Sequence, residues 1–290
     1  NDFLKDADFE GSTFTHFMRD AQRLSSIYGR VSIIVDRPKA IAGTLAEAHS
    51  AGVRPYVSLI TPENLLDWSY SRAENGRPVL EMVKIKEGAD TYRIWTREHW
   101  ELWLKDEKEA RLVDAGGHGI GEVPVVTLYN KKSGIRMVGI SDIQDIADIN
   151  KNIYYLCSDA KEIIENTAFP MLAVPYSRGE TAQEVGPKNI MQFDPAEPNS
   201  KPYWLEAPHS SLSEIREWVR QDIEEIYRIA KMGGVRAAED FSAPRSGVAI
   251  ELEYQQLYSV LSEKADNLEH AELKILDLWA KWEGKTFDGK

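Results

Sequence analysis

The sequence predicts an α+β protein in which a sheet-rich N-terminal region is followed by long helices. Between residues 79 and 129, apolar residues recur with a period of two, which is typical of antiparallel strands. From residue 141 onward they recur with the period of a helix. Prolines crowd the segment 166–209, and proline at that density excludes a continuous helix. The helical part is therefore interrupted by a compact insert of short strands and turns.

The N-terminal region begins with helix and strand patterns of ordinary length. Residues 11–28 form an amphipathic pattern that stops at Gly29, and a short helix is expected over 43–51. Continuous apolar runs at 31–35 and 56–60 predict two buried strands. The antiparallel meander is expected to contain strands at 80–86, 91–95, 99–103 and 125–128. A glycine-rich segment, 116–121, is predicted to be a flexible loop between strands.

Two capping boxes open the first two long helices. Ser141–Gln144 and Ser211–Glu214 each place a serine three residues before a Gln or Glu, which satisfies free amides of the first turn. The helices are expected over 141–165 and 211–232. A third helix is predicted from 247 to about 282, about 55 Å long at 1.5 Å per residue.

Composition and charge exclude several classes of protein. The hydrophobic content of 42% and charged content of 28% are those of a folded protein. A net charge of −12 argues against a protein that grips nucleic acid by neutralising phosphates, although an acidic wall suits a protein past which nucleic acid slides. No apolar run approaches membrane-spanning length. The single cysteine, Cys157, excludes an intrachain disulfide and is expected to be a buried structural thiol.

No pattern in the sequence indicates catalysis, a cofactor or a metal site. The six histidines form no metal-ligand pair, and no nucleophile elbow is present. The glycines at 116–121 lack the Lys-Ser/Thr of a phosphate-binding loop and precede Val123-Pro124 rather than a helix. We therefore expect no enzyme, no cofactor and no metal.

The order of the elements and several local phrases resemble the portal proteins of tailed bacteriophages, also called head-to-tail connectors. Glu122–Val126 followed by Gly139–Ile143 resembles the family's passage from its wing into the first stem helix. Thr167–Leu172 resembles the exit of that helix into the clip, and Ser246–Ile250 the start of the helix after the tunnel loop. The segment Tyr28–Pro38 has a counterpart near the start of one branch of the family.

The resemblance implies a division of the chain into regions. A wing is implied at 1–138, stem helices at 139–165 and 210–232, a clip at 166–209, and a tunnel loop at 233–246. The long helix at 247–290 then returns to the wing. Compared with the family, the chain lacks the start of the wing and most or all of the C-terminal crown.

The resemblance also implies a function and partners. Family members form a ring, usually dodecameric, at one vertex of the capsid, and double-stranded DNA passes through its centre without sequence-specific contacts. The implied partners are further copies of the chain, the terminase, head-completion or adaptor proteins and the major capsid protein, with no membrane. The implied location is the virion, and the host cytoplasm during assembly.

Candidate functional residues follow from this division. The DNA-facing residues expected in the tunnel loop are Arg236, Glu239, Asp240, Phe241 and Arg245. The partner-docking residues expected in the clip are Tyr176, Arg178, Glu180 and Lys188. The acids expected at the channel are Asp142, Asp145 and Asp148, which are alternatively cap-region acids on a solvated helix face.

Two other functions remain open from the residues alone. One is a virion or scaffold protein that uses the same helices for lateral packing but has no DNA channel. The other is a hydrolase whose site has no readable motif. A central channel distinguishes the portal from the former, and a deep pocket with convergent polar groups would favour the latter.

Overall fold

The structure, a computed structural model, describes residues 2–39, 52–106, 109–167, 171–175, 191–193, 201–205, 210–231 and 247–289. The chain forms two compact units. The first consists of Asn1–Gln144 together with Gln255–Lys290, and the second of Asp145–Tyr254. The short helix expected at 43–51 lies outside the described residues.

The first unit begins with two helices, α1 (Asp2–Lys5) and α2 (Phe14–Tyr28). Thr13 caps α2, because its side-chain oxygen accepts a hydrogen bond from the backbone N–H of His16 at 3.3 Å. Gly29 ends α2 with a φ of 83°, in the left-handed region that glycine adopts without steric cost. The predicted helix and its glycine stop are confirmed.

A three-stranded antiparallel sheet lies beside α2. Its strand order is β2-β1-β8, from β1 (Arg30–Asp36), β2 (Tyr56–Ile60) and β8 (Val125–Tyr129). Every residue of β1 is buried, which is the pattern of a central strand covered on both faces. The predicted strands at 31–35 and 56–60 are confirmed. The assignment of residues 125–128 to the meander is wrong, because β8 pairs with β1 instead.

The meander is a separate five-stranded sheet with the order β3-β4-β5-β6-β7. Its strands are β3 (Leu65–Arg72), β4 (Pro78–Lys86), β5 (Thr91–Thr96), β6 (His99–Lys105) and β7 (Ala110–Gly117). The predictions for β4, β5 and β6 are confirmed, whereas β3 and β7 were not expected. Gly116 and Gly117 pair with Trp100 and His99 in the ladder, so the predicted flexible loop begins only at His118.

Two hydrophobic clusters form the core of the first unit, one on each side of β1. Val31, Ile33 and Val35 contribute to a cluster with α2 and the last turns of a long helix, α5 (Gly247–Trp282). Ile34 points the other way and contributes to a cluster with Val83 and Trp95 of the five-stranded sheet. Burying both faces of one strand ties the helices and both sheets into one unit.

Trp282, at the end of α5, packs against both clusters. Its indole Nε1 donates a hydrogen bond to the Val35 carbonyl oxygen at 2.8 Å, and Arg37 Nη1 donates to the Trp282 carbonyl oxygen at 3.0 Å. The ring of His118 lies 6.0 Å from the Trp282 ring, centroid to centroid. Burial lowers the pKa of His118, which favours the neutral imidazole in this apolar setting.

The second unit contains two helices and a small sheet. The helices are α3 (Gln144–Thr167) and α4 (Ser210–Ile229). The sheet has the order β10-β9-β11, from β9 (Met171–Pro175), β10 (Met191–Phe193) and β11 (Tyr203–Leu205). Short strands in the proline-rich insert and helices on either side of it match the prediction. Among the described residues, none of the helices combines the length and apolar character that crossing a bilayer requires.

Candidate assembly surface and channel residues

Most of the predicted contact residues lie outside the described part of the chain. This applies to the tunnel-loop set Arg236, Glu239, Asp240, Phe241 and Arg245. It applies equally to the docking set Tyr176, Arg178, Glu180 and Lys188. Both sets stay predictions. The three aspartates at the start of α3 are described, and their surroundings differ from one to the next.

Ser141 does not act as the expected helix cap. Its hydroxyl donates to the Ile27 carbonyl oxygen at 2.5 Å, and its oxygen accepts from the Ile143 backbone N–H at 3.1 Å. The side chain is therefore engaged with the end of α2, and α3 begins only at Gln144. The hydroxyl that the capping box would use is hydrogen-bonded to the end of α2. A tertiary hydrogen bond has therefore replaced the expected local cap.

Asp142 is held by partners from three parts of the first unit. Its carboxylate accepts a hydrogen bond from Asn130 Nδ2 at 2.7 Å and forms an ion pair with Lys264 of α5. Its backbone N–H donates to the Ser26 carbonyl oxygen of α2 at 3.0 Å. The residue thus anchors the chain just before α3, and its charge is balanced by that of Lys264.

Asp145 and Asp148 have a different environment. Both are exposed, and within the described ranges neither side chain has a hydrogen-bond or ion-pair partner. Asp145 lies in the first turn of α3, where a carboxylate favours the positive end of the helix. Their role at a channel stays a prediction, and of the three acids these two carry uncompensated charge.

Asn130 organises the Asp142 anchor, a role that no sequence motif indicates. The side chain is buried, accepts from the Ser26 hydroxyl at 3.2 Å and donates to the Ile140 carbonyl oxygen at 3.1 Å. Asn267 of α5 donates to the Asn130 carbonyl oxygen at 3.3 Å. Because Ser26 and Asn267 each lie more than a hundred residues from Asn130 in sequence, no local pattern connects them.

The helices of the second unit expose large apolar side chains. On α3 these are Tyr154, Tyr155 and Ile164, with 70, 53 and 50% of their surface exposed; on α4 they are Trp218 and Ile223, with 59 and 39% exposed. Isolated apolar residues are common on protein surfaces, and here five large ones lie on two neighbouring helices. We call these five residues the helix patch.

Within the second unit, Asn152 of α3 donates to the Asp222 carboxylate of α4 at 2.7 Å, so the two helices are neighbours. Cys157 of α3 is exposed, which corrects the expectation of a buried thiol. The apolar side of α3 that was expected to form a core is thus partly open in the single chain.

The same helices carry an excess of acidic residues. Helix α3 has five acidic residues against two basic ones, and α4 has five against three. Pairs such as Lys161–Glu165 and Arg228–Glu225 lie one turn apart on their own helix and are exposed to solvent, which screens them. The helix surfaces therefore combine apolar contact residues with net negative charge.

The described residues contain no group of three or more His, Cys, Asp or Glu side chains that could hold a metal ion. His118 follows the glycine pair at the end of β7. One of its ring nitrogens lies 3.0 Å from the Thr96 carbonyl oxygen, and the other accepts from the Ile120 backbone N–H at 3.3 Å. Both ring nitrogens of this histidine are thus engaged by the backbone.

Comparison with known proteins identifies the family. The family described as "Phage portal protein, SPP1 Gp6-like" matches residues 22–285, which is most of the chain. The chain belongs to this portal protein family. Portal proteins are structural components of the virion, so this chain is a virion protein with a structural role. No curated protein matches its sequence.

Solved structures also match this portal protein. One, described as "Virion of native gene transfer agent (GTA) particle", is 12% identical in sequence. The match covers 98% of this chain and 72% of that chain, with a TM-score of 0.47. The family assignment rests on the sequence match over residues 22–285.

The first unit of the portal protein also contains a cleft with a volume of about 420 Å³. Residues from β3, β4, β8 and α5 line it, including Tyr70, Thr127, Tyr129, Lys132, His270 and Lys274. Glu122 lies at the cleft as well, but its carboxylate pairs with both Lys274 and Lys281. These lysines hold the pKa of Glu122 below its usual range, although burial opposes that effect.

Proposed function

We propose that copies of this portal protein assemble through the helices of their second unit into a closed ring. The ring would surround a channel through which double-stranded phage DNA enters the capsid during packaging and leaves it during ejection. The observation that carries this proposal is the helix patch, whose side chains are open in the single chain.

Burial of the helix patch supplies a driving force for assembly. Removing one large apolar side chain from water contributes about 1.5 to 3 kcal/mol. Trp218 and Tyr154 are also the residue types that most often dominate protein interfaces. A closed ring has as many contacts as subunits, whereas an isolated pair has one contact for two subunits, so each subunit gains more from this surface in a ring.

The excess negative charge on α3 and α4 suits a channel that DNA passes without being held. Phosphates are repelled by carboxylates, so an acidic wall keeps the duplex centred and free to slide. Among the acids predicted for the channel, Asp145 and Asp148 carry uncompensated charge, whereas Asp142 is paired with Lys264. We assign the channel role to Asp145 and Asp148 and an anchoring role to Asp142.

The remaining regions complete the proposal. We assign residues 1–138 to the wing, 139–165 and 210–232 to the stem, and 247–290 to the long helix that returns to the wing. Residues 233–246 form the tunnel loop, with Arg236, Glu239, Asp240, Phe241 and Arg245 closest to DNA. Residues 166–209 form the clip, which docks the terminase and later the head-completion proteins through Tyr176, Arg178, Glu180 and Lys188.

The test is the mass of the native particle, measured by native mass spectrometry on the wild-type chain and on Trp218→Ser. The wild type should form a closed ring, and Trp218→Ser should shift the population toward smaller species. Ile135→Ser is the matched control, since Ile135 is 68% exposed but belongs to the first unit. A ring that Trp218→Ser leaves intact would exclude the helix patch as the assembly surface.

Imaging the ring then distinguishes a portal channel from a solid virion component. Negative-stain projections along the ring axis should show a central opening wide enough for a DNA duplex, about 20 Å across. A closed centre would favour the alternative of a virion protein that packs laterally and conducts no DNA.

A further inference from the structure

The cleft in the first unit is a positively charged site on a strongly acidic chain. Lys132 lies over the ring of Tyr129 at 5.8 Å, and Arg136 lies over the ring of Tyr70 at 5.5 Å. Lys274 also lines the cleft, but its charge is balanced by Glu122 and by Asp277. Glu122 is the acid at this cleft, and it is already neutralised by two lysines. The local charge is therefore opposite to the net charge of −12 on the whole chain.

Arg30 adds a buried positive charge on the same side of the three-stranded sheet. It pairs directly with Tyr129 across the β1–β8 ladder, and cross-strand partners point to the same face. Only 7% of Arg30 is exposed, and its guanidinium lies over the Trp68 ring at 5.2 Å. Among the described residues, no carboxylate forms an ion pair with Arg30, and its Nη1 has no hydrogen-bond partner.

Ser32, two residues along β1 on the same face, also lacks a hydrogen-bond partner in the described part of the chain. It pairs with Thr127, which lines the cleft, and its buried hydroxyl oxygen has no hydrogen-bond partner within the described residues. A buried cation without a counter-ion is costly, since burial removes its water without replacing it. Burial accordingly lowers the pKa of Arg30. Arg30 and Ser32 do not line the cleft themselves, but their cross-strand partners Tyr129 and Thr127 do, so the positive charge beside the cleft favours a negatively charged occupant.

We propose that this cleft receives an acidic side chain from a neighbouring copy of the same chain. The inference rests on the proposed ring, because it requires a second copy beside the first. Charge complementarity favours this occupant: the chain has 47 acidic residues against 35 basic ones, so a neighbour presents carboxylates more often than cations. The cleft is too small for a duplex, and its volume suits a few inserted side chains.

The ring then gains a second contact besides the helix patch. The buried charge of Arg30 raises the positive potential in the cleft because the surrounding core screens it weakly. A carboxylate that enters is attracted without displacing the ion pairs of Glu122. In the single chain, the buried Arg30 has no counter-ion among the described residues and lowers the stability. In the ring, the neighbour's carboxylate would offset that loss. Arg30 is thus predicted to weaken the monomer and to strengthen the ring.

The first test places a photo-reactive amino acid at the cleft, in place of the exposed lining residue Pro78. Rings are assembled from equal amounts of ¹⁴N- and ¹⁵N-labelled chains, irradiated and digested. We expect cross-links of mixed isotope composition to peptides that contain Asp or Glu. Mixed-isotope cross-links to peptides without acids, or cross-links confined to one chain in a particle that native mass spectrometry shows to be a ring, would overturn the cleft proposal and leave the ring proposal intact.

The second test replaces the buried charge by an apolar side chain of similar length, Arg30→Met. We expect a higher midpoint of urea unfolding for the single chain and at least a tenfold loss in ring formation at equal concentration. Arg111→Met, at an exposed position on β7, is the control and should change neither quantity. A lower unfolding midpoint for Arg30→Met would show that Arg30 is already satisfied in the single chain, for example by ordered water, and would refute the proposal.

A third measurement distinguishes a free anion from a neighbouring carboxylate. Inorganic phosphate is titrated into dilute single chains, and the unfolding midpoint is followed for the wild type and for Arg30→Met. The proposal predicts less than a twofold change in the unfolding constant at millimolar phosphate. Strong, Arg30-dependent stabilisation by phosphate would assign the cleft to a free oxyanion instead of a second copy.

Discussion

The carbonyl oxygen of Gly29 lies 2.0 Å from the point that a Cβ atom on Gly139 would occupy. The approach is mutual, since a Cβ atom on Gly29 would lie 2.6 Å from the Gly139 carbonyl oxygen. Here the end of α2 meets the segment that leads into α3. The contact is between backbone groups, which cannot rotate away as a side chain can. Both positions therefore require glycine.

Gly139→Ala should destabilise the first unit strongly. The added methyl group forces the two backbone segments apart, which costs about 3 kcal/mol for an overpacked site. Urea unfolding followed by tryptophan fluorescence measures the change. Gly134→Ala is the control, because a Cβ atom there has nothing within 4 Å and its φ is not positive. Equal stability of the two variants would contradict the proposed backbone contact.

The Asp142 anchor predicts unequal effects for three nearby aspartates. Asp142→Asn loses the ion pair with Lys264. It should lower the free energy of unfolding by about 1 kcal/mol, a value that already allows for the partial exposure of the pair. Asp145→Asn and Asp148→Asn should change stability by less than about 0.5 kcal/mol.

A double-mutant cycle with Lys264→Met isolates the pair. The stability losses of the two single variants, added together, should exceed the loss in the double variant, because each single substitution already removes the ion pair. Strict additivity would mean that Asp142 and Lys264 do not stabilise each other in solution, and Asp142 would then return to the set of free channel acids.

Tyr56 predicts a loss of stability in alkali. Burial, and then Asp36, whose carboxylate accepts from the Tyr56 hydroxyl at 3.2 Å, raise the pKa of Tyr56 to about 12. An unfolded tyrosine ionises near pH 10. Between these values the folded chain keeps a proton that the unfolded chain releases, so the contribution is complete below pH 10 and is lost as the pH rises toward 12.

The stability difference between wild type and Tyr56→Phe should be constant from pH 7 to pH 9. Above pH 10 it should decrease by about 1 to 2 kcal/mol, after a discount for partial exposure. Urea unfolding at constant temperature, repeated at a series of pH values, measures this stability difference. A difference that stays flat to pH 11.5 would show that the Tyr56 phenol ionises as freely in the folded chain as in the unfolded one.

Trp282 should be among the residues that matter most for the first unit. Trp282→Ala removes contacts with both hydrophobic clusters and the hydrogen bond to the Val35 carbonyl oxygen, at a cost of about 3 to 5 kcal/mol. Trp218→Ala makes the same chemical change at an exposed position and should leave the single chain within about 0.5 kcal/mol of wild type. Thermal unfolding of dilute chains compares the two directly.

Local sequence patterns predicted the helices and strands that are determined by residues close together along the chain. Helix α2, the long helix and the central strands of the meander follow from periodicity, and the stop of α2 follows from Gly29. Strand β7 could not be predicted in this way, because Ala110–Gly117 is largely exposed, carries two glycines and pairs as an edge strand with β6.

Errors arose where tertiary contacts decide the structure. Strand β8 has the same alternation as the meander strands, but its partner is β1, about ninety residues earlier. Ser141 has the sequence of a helix cap, yet its hydroxyl bonds to the end of α2. Cys157 lies on an apolar helix side that the single chain leaves open. The Asp142 anchor and the charge in the cleft depend on residues far apart in sequence, and periodicity carries no information about such pairs.

The first unit is discontinuous in sequence, and this determines when it can fold during synthesis. Ile275 and Leu278, which cover part of the same side of the sheet, leave the ribosome some 240 residues after Val31, Ile33 and Val35. The whole second unit is made in between. A nascent chain therefore has only α2 to cover this face of β1 until the last turns of α5 have been made. Subunits become competent to join a particle only after the chain has been made through Trp282.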